Sequence, residues 1–513
     1  MQFKVLPAKS KVSKDLAPGL YLVKDNWDDF TYKTQFDLYY IEKNNSKHCI
    51  GTIKIGQFDM KEARPNIPEK FECLEGTFFS LGQSITYYEK LKALGDEIRE
   101  TILSSLNDIA RDIELFKKVR DEEVTKTSLL RDVNSFTVRE QFHRIANGGA
   151  NLTKYSFTYD SPRLTENLSG FKFNFEVTPN SHPPTNIHTL IGRNGVGKTT
   201  LINNMIKALV DTKKDILSNG KFSNEHDEFD KEIFANTILV AFSAFDDSYL
   251  IDNNNDEMKG MLYSYIGLKE RGPTKIIKYK EKTFKRKGNI TSKGVKQLSK
   301  EFADSIKVCI RTKRIERWKR SVKMLETDPI FEGLNVSKVV ENNEDLEAFF
   351  KELSSGHKIV LLTITKLIEK VDEKTLVILD EPEAHLHPPL LSAFIRSLSS
   401  LLINQNAVGI IATHSPVILQ EVPKSCVWKI RRSGKRIAVE RPERETFGEN
   451  IGILTNEVFG LEVTHSGFHL LLKEAIAKKK DYEGVIKFFN DELGLEARAL
   501  IRSYISIQEL DEE

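Results

Sequence analysis

Apolar and polar residues repeat with two different periods along this chain, and the change of period marks its parts. From residue 3 to about residue 56 apolar positions tend to recur every second residue, as in the runs at 20–23 and 36–41, with Asn44, Asn45 and Ser46 between them. This predicts short antiparallel strands. At Leu91, Leu94, Ile98, Ile102, Leu106, Ile109, Ile113 and Phe116 the step becomes three or four, which predicts one face of a long amphipathic helix serving as core packing or as half of a helix pair. Gly148 and Gly149 close this region. Strands resume at 155–159 and 171–177, and the apolar runs 187–191, 238–242, 376–379 and 408–412 predict buried strands.

The polar residues that end those buried runs carry the chemistry. Run 187–191 leads directly into residues 192–199, GRNGVGKT, and then into Leu201, Ile202, Met205, Ile206, Leu209 and Val210 at helical spacing. In this strand, glycine loop and helix, Gly192, Gly195 and Gly197 let successive N–H groups turn inward toward phosphate oxygens, at the positive end of the helix. Arg193, Asn194 and Val196 complete the loop. Lys198 supplies a cation for β and γ phosphates, the Thr199 hydroxyl is placed to ligate Mg²⁺, and Thr200 follows in the first helical turn. Run 376–379 ends in Asp380 and Glu381; a carboxylate at such a strand tip can hold the water shell of Mg²⁺, and its neighbour can take a proton from attacking water. Ser354, Ser355 and Gly356 precede an apolar helix and form a second anion site. His414 closes run 408–412 and is placed to sense a γ-phosphate.

Composition narrows the class. The chain has 513 residues, 40% of them hydrophobic and 29% charged, as in an ordinary soluble protein of several domains. Cys49, Cys73, Cys309 and Cys426 are far apart and form no metal-ligand pair, so a reducing cytoplasm is expected. No apolar run reaches the ~18 residues needed to cross a bilayer, and no leader is visible. The formal net charge of +2 conceals a basic segment between Lys259 and Lys323. Its first half, with Lys285 and Arg286, is expected to be loop-rich; its second half reads as a basic amphipathic helix or helix pair bearing Arg311, Arg314, Arg317 and Arg320. Clustered Lys and Arg make this the candidate contact for nucleic acid, the alternatives being a solvated face or an acidic partner protein. His385 and His387, as H-x-H, lack a third metal ligand in the sequence, and so do His465 and His469.

Together these motifs resemble the ATP-binding-cassette ATPases, in the branch that includes SMC, RecF-like and OLD-like proteins. Residues 192–199 match the Walker A loop, 376–381 the Walker B strand with its catalytic glutamate, 353–357 the signature motif and His414 the switch histidine. The signature reads LSSGH where the family has LSGGQ, and no glutamine follows run 238–242, where Ser243 or Asp246 stands instead. The resemblance implies an α/β fold: an ABC-type P-loop head with a mixed sheet, an N-terminal α+β region and a helical basic insertion. The corresponding division is 1–150, 151–248 and 346–447 for the two parts of the head, 249–345 for the insertion and 448–513 for a helical extension. It also implies ATP and Mg²⁺ as cofactors, with two heads sandwiching ATP so that Ser354 and Gly356 of one face Lys198 of the other.

Within that branch, LSSGHK, LDEPEAHLHPP and ATHSPVILQEVP look like the antiphage-defence ATPases of the PtuA type, which serve Septu and some retron systems. That likeness implies an ATP-controlled sensor or scaffold with a separate HNH-type nuclease as partner. An SMC- or RecF-like DNA repair or maintenance ATPase is the alternative. No D-x-D follows His414, so no nuclease is expected within the chain itself. A transporter subunit fits neither the N-terminal region nor the insertion, and the interval 250–346 is too short and interrupted for a coiled-coil arm.

Overall fold

The computed structural model describes all residues except 62, 150–151, 163–169, 211–215, 225–232, 243–250, 257–259, 273–274, 280–281, 287, 313, 343, 434–435, 460–466, 480 and 513. Its centre is a seven-stranded sheet in the order Leu262–Gly267, Asn236–Ala241, Thr375–Asp380, Val408–Thr413, Ile187–Ile191, Val427–Ser433 and Arg436–Glu440. All neighbours run parallel except the final hairpin, which makes the sheet mixed. The sequences IHTLI, TLVILD and VGIIAT are buried throughout, as a parallel sheet covered on both faces requires.

Side-chain alternation divides this sheet between two cores. Ile187, Ile191, Val377, Leu379 and Ile411 point into one, together with Val360, Leu361 and Ile364 of the Ser355–Lys370 helix. Leu190, Leu376, Ile378, Ile410 and Ala412 point into the other, with Ile202, Met205 and Ile206 of the Lys198–Val210 helix. The helix after the glycine loop and the helix after LSSGH therefore cover opposite faces. A three-stranded antiparallel sheet of Lys221–Ser223, Tyr155–Asp160 and Lys172–Val177 adds Phe157, Tyr159, Phe173 and Phe175 to the second core.

The basic insertion is integrated into the head. Its helices Val295–Arg311 and Ile315–Leu325 bury Leu298, Phe302, Ile306, Cys309, Trp318, Val322 and Leu325 in the first core, and Trp318 Nε1 donates to Thr365 Oγ1 at 2.9 Å. The loop-rich expectation for its first half is corrected: Lys275–Tyr279 and Lys282–Arg286 form an antiparallel hairpin. Ile276, Ile277, Tyr279, Thr283 and Phe284 are strong strand formers, and that propensity prevails over the lysines between them.

The N-terminal region is α+β, as expected, with a six-stranded sheet in the order Lys70–Phe71, Phe3–Leu6, Gly19–Lys24, Gln35–Ile41, Lys47–Gln57 and Phe78–Gly82. One pair departs from the antiparallel expectation: Phe3–Leu6 runs parallel to Gly19–Lys24. The single long helix is also corrected, to Ile85–Ala93, Asp96–Ser105 and Ile113–Val119. Gly95 at φ +96° and Asn107 at φ +49° turn the chain between them, and buried Asp108 accepts from the N–H groups of Ala110 and Arg111. The apolar period continues across these breaks because all three helices face the same core. Arg144 joins this region to the head through a 2.5 Å pair with Glu373, a fully buried carboxylate just before the Thr375–Asp380 strand. The extension folds as helices Ile451–Phe459, Phe468–Lys479, Tyr482–Phe488 and Leu495–Glu512. No helix among the described residues is long and apolar enough to cross a membrane.

Candidate functional site

Strand register brings the motif ends to one edge of the sheet. Asp380 pairs with Ala412, Ala412 with Leu190 and Thr413 with Ile191, so the glycine loop, Glu381 and His414 leave three neighbouring strands side by side. Such a carboxyl-end edge is where open α/β sheets bind ligands. In the loop, Gly195 and Gly197 have φ of +80° and +102°, a region that residues with a Cβ rarely adopt. Gly192 meets a different demand: a Cβ there would lie 2.3 Å from Ile430 O of the adjacent strand.

Lys198 is buried with its ammonium folded over the loop, donating to Gly192 O at 2.9 Å and Arg193 O at 3.1 Å. Burial pushes its pKa down, while Glu381, Asp380 and Glu383 pull it back up. Thr199 Oγ1 donates to Asp380 Oδ2 at 3.1 Å, across 181 positions of sequence. A hydroxyl beside a carboxylate is the hard oxygen donor set that suits Mg²⁺, and a buried ammonium over a glycine loop suits a polyphosphate. The residues present thus fit both groups.

Glu381 begins the turn after its strand in a left-handed conformation, φ +47° and ψ +55°, with its N–H held by Ala412 O at 2.9 Å. Its carboxylate lies 3.7 Å from His414 Nδ1 and 3.8 Å from Lys198 Nζ. His414 and Lys198 lower the Glu381 pKa, and the nearby Glu381 and Glu383 carboxylates raise that of His414. Glu383 is the member of this group that the sequence reading missed. It accepts from Thr413 Oγ1 and, at 2.8 Å, from His414 N, and it stands 3.2 Å from His414 Nδ1. Its position two residues after Glu381, within the same turn, was the available signal.

Ser354 caps the Ser355–Lys370 helix by accepting from His357 N at 3.3 Å, and its hydroxyl contacts His357 Nδ1 at 2.9 Å. Gly356 is pressed against the turn after Glu381, where an added Cβ would sit 3.0 Å from His385 O. Ser355 and Gly356 open the helix beside it. Ser243 and Asp246 lie outside the described residues. So does His465, while His469 is buried against Phe468.

Of the arginines expected to face nucleic acid, Arg311, Arg314 and Arg317 have partners within the chain. Arg311 pairs with Asp132 at 2.7 Å. Arg314 pairs with Asp372 at 2.9 Å and donates to Glu369 O, and Arg317 donates to Val371 O. Burial pushes the Arg317 pKa down to about 10. Arg314 and Arg317 tie the insertion to the chain just before the Thr375–Asp380 strand, where the carbonyls at a helix end attract cations, while Arg311 ties it to the N-terminal region. Arg320 is exposed and lines, with Arg314 and Arg317, a cleft of about 630 Å³ against the N-terminal region. The side chains of Lys285 and Arg286 lie outside the described residues.

Fold and site together define a P-loop ATPase of the AAA and ABC type. Residues 312–420 match the family model described as "AAA domain, putative AbiEii toxin, Type IV TA system". Protein ea59 of Escherichia phage lambda is 38% identical over 516 residues, covering 94% of each chain, and the present chain belongs to its family. "Retron Vc95 probable ATPase" of Vibrio cholerae serotype O1 biovar El Tor is 22% identical over 160 residues, 29% of this chain and 30% of that one. Among solved structures, the ADP conformation of an ATP-binding cassette of an ABC transporter aligns at TM-score 0.33 and 14% identity, covering 61% of this chain and 100% of the other. An inward-facing, metal-chelate type ABC transporter aligns at TM-score 0.31 and 14% identity, over 60% of this chain and 89% of its own. Scores of this size carry no weight beside the site geometry.

Proposed function

We propose that this chain is an ATP-hydrolysing switch whose two heads close around ATP, and that it regulates a separate effector, an HNH-type nuclease, in a system directed against phage. One observation supports the two-head arrangement above others: the Lys198 helix and the Ser354 helix cover opposite faces of one sheet. The glycine loop and the signature serine thus open helices on different faces of one sheet, and in this reading the serine that meets the loop comes from a second head.

In this reading Gly192, Arg193, Asn194, Gly195, Val196, Gly197 and Thr200 form the phosphate cradle, and Lys198 exchanges its two loop carbonyls for phosphate oxygens. Thr199 and Asp380 hold Mg²⁺, which supplies charge neutralisation when bound. Glu381 accepts the proton of the attacking water. His414 keeps Glu381 ionised and oriented, and Glu383 fixes His414. Ser354, Ser355 and Gly356 of the opposing head complete the site.

The defence role rests on the motif likeness stated above and on the similarity to a retron ATPase. The phage origin of the ea59 relative suits a weapon carried by one phage against another as well as protection of a cell. The test is to capture Glu381→Gln from its native cell with ATP present, then weigh the assembly and identify its chains. A doubled head mass with a stoichiometric nuclease supports the whole proposal. A monomer at saturating ATP overturns the two-head arrangement. Repair proteins in place of a nuclease move the chain to the DNA-maintenance reading.

A further inference from the structure

Three side chains remote in sequence meet beside the signature serine. One ligand atom from each of Asp328, His357 and His387 lies within 4.8 Å of the other two, the one such group among the described residues. Each comes from a different part of the head. Asp328 follows the Ile315–Leu325 helix of the insertion, His357 lies in the first turn of the signature helix, and His387 immediately precedes the Pro388–Asn404 helix beyond Glu381 without a capping bond from its side chain.

We propose that Asp328, His357 and His387 form a binding site for a divalent transition metal ion, zinc foremost, which clamps the signature helix to the insertion and to the turn that follows Glu381.

Four features carry this assignment. The donors are two imidazoles and one carboxylate, a set found in zinc sites that have three protein ligands and leave the fourth position to water. One donor pair already has the separation of ligands on a tetrahedral ion: two ligands at about 2.0–2.1 Å from the metal are ~3.3–3.4 Å apart, and His387 Nε2 stands 3.5 Å from Asp328 Oδ2, with all three donor atoms within 4.8 Å of one another. That distance is long for a charge-assisted hydrogen bond, which prefers about 2.7–2.9 Å. The inner ligands are preorganised: Asp328 and His357 are buried, Asp328 Oδ1 is held by Phe331 N at 3.2 Å, and Phe331 packs edge-on against the His357 ring. Finally, His357 Nδ1 is engaged by Ser354 Oγ, which leaves Nε2 for the metal, the outer-shell arrangement typical of ligating histidines.

His387 is half-exposed, so the ion has a path in and a variant there is tolerated. The site is tested with the full-length chain, stripped by chelator and free of nucleotide. Zn²⁺ is titrated against a chromophoric competitor, and Co²⁺ is added separately to read its visible absorption. One equivalent of Zn²⁺ and an intense tetrahedral Co²⁺ band are expected. His387→Ala and His357→Gln should lose both, and Ser354→Ala should weaken Zn²⁺ roughly 10-fold. His48→Ala, on the distant N-terminal sheet, should change neither. If His387→Ala and His357→Gln bind Zn²⁺ as wild type does, or if Co²⁺ gives only the weak octahedral band, the cluster binds no such ion. Should Asp328→Asn fail to fold, the half-exposed His387 still decides the outcome.

Discussion

Two regions of this head are dense in charge, and they use it in opposite ways. At the sheet edge Lys198, Asp380, Glu381 and His414 come from three strand ends and converge without closing into tight pairs: Glu381 stays 3.7 Å from His414 and 3.8 Å from Lys198. On the insertion, Arg311, Arg314 and Arg317 come from one short stretch, and each is committed to a carboxylate or carbonyl of the same chain. Charge density alone therefore does not distinguish a site from a brace. The position of a charge relative to a strand end does.

The largest expected effect lies at the edge. Glu381→Gln should lower ATP turnover by about 10²–10⁴-fold, the usual contribution of a positioned general base, while retaining ATP binding. A rapid-quench assay beside equilibrium binding measures both, and undiminished turnover would remove Glu381 from the reaction. The brace predicts a stability effect. Arg314→Ala leaves Asp372 and a backbone carbonyl without their partner and should destabilise the head by about 1.5–3 kcal/mol, whereas exposed Arg320→Ala should stay within about 0.5 kcal/mol. If denaturant melts show the two equal while Arg314→Ala flattens the salt dependence of nucleic-acid binding, the arginines are a contact surface after all.

The smallest effect follows pH. His414 has a raised pKa, so its contribution to stability is complete below its ordinary value of 6.5 and is lost as pH rises through the raised value. Glu381 has a lowered pKa, so its contribution is complete above 4.5 and is lost as pH falls through the lowered value. The melting temperature of wild type relative to His414→Gln should thus peak between pH 4.5 and 6.5 and decline on either side. A difference independent of pH would mean that the pair is not ionised as described.

How much of this was legible beforehand depended on range. The loop at 192–199 was legible because a tight phosphate turn needs glycines at fixed offsets from a strand and a helix, all within one local stretch. Asp380 and His414 were legible because each ends an apolar run. The Asp328, His357 and His387 cluster was not, since nothing local relates a residue after one helix to the starts of two others; only the packing of three helices in one core brings them together. The breaks at Gly95 and Asn107 were hidden for the converse reason, because a shared core imposes one period on separate helices. The arginine commitments were hidden because their partners, at Asp132, Val371 and Asp372, are contributed by elements that sequence spacing does not connect.

Glu381 leaves its strand in a backbone conformation that glycine adopts freely and glutamate does not, at a cost of order 1–3 kcal/mol. Random drift in a gene freed from selection for turnover would therefore find a more stable protein at this codon by discarding the carboxylate. With Glu381 as the base proposed above, a glutamate kept here across a lineage would record continued ATP hydrolysis, and glycine or asparagine in its place would mark copies that have become binding proteins.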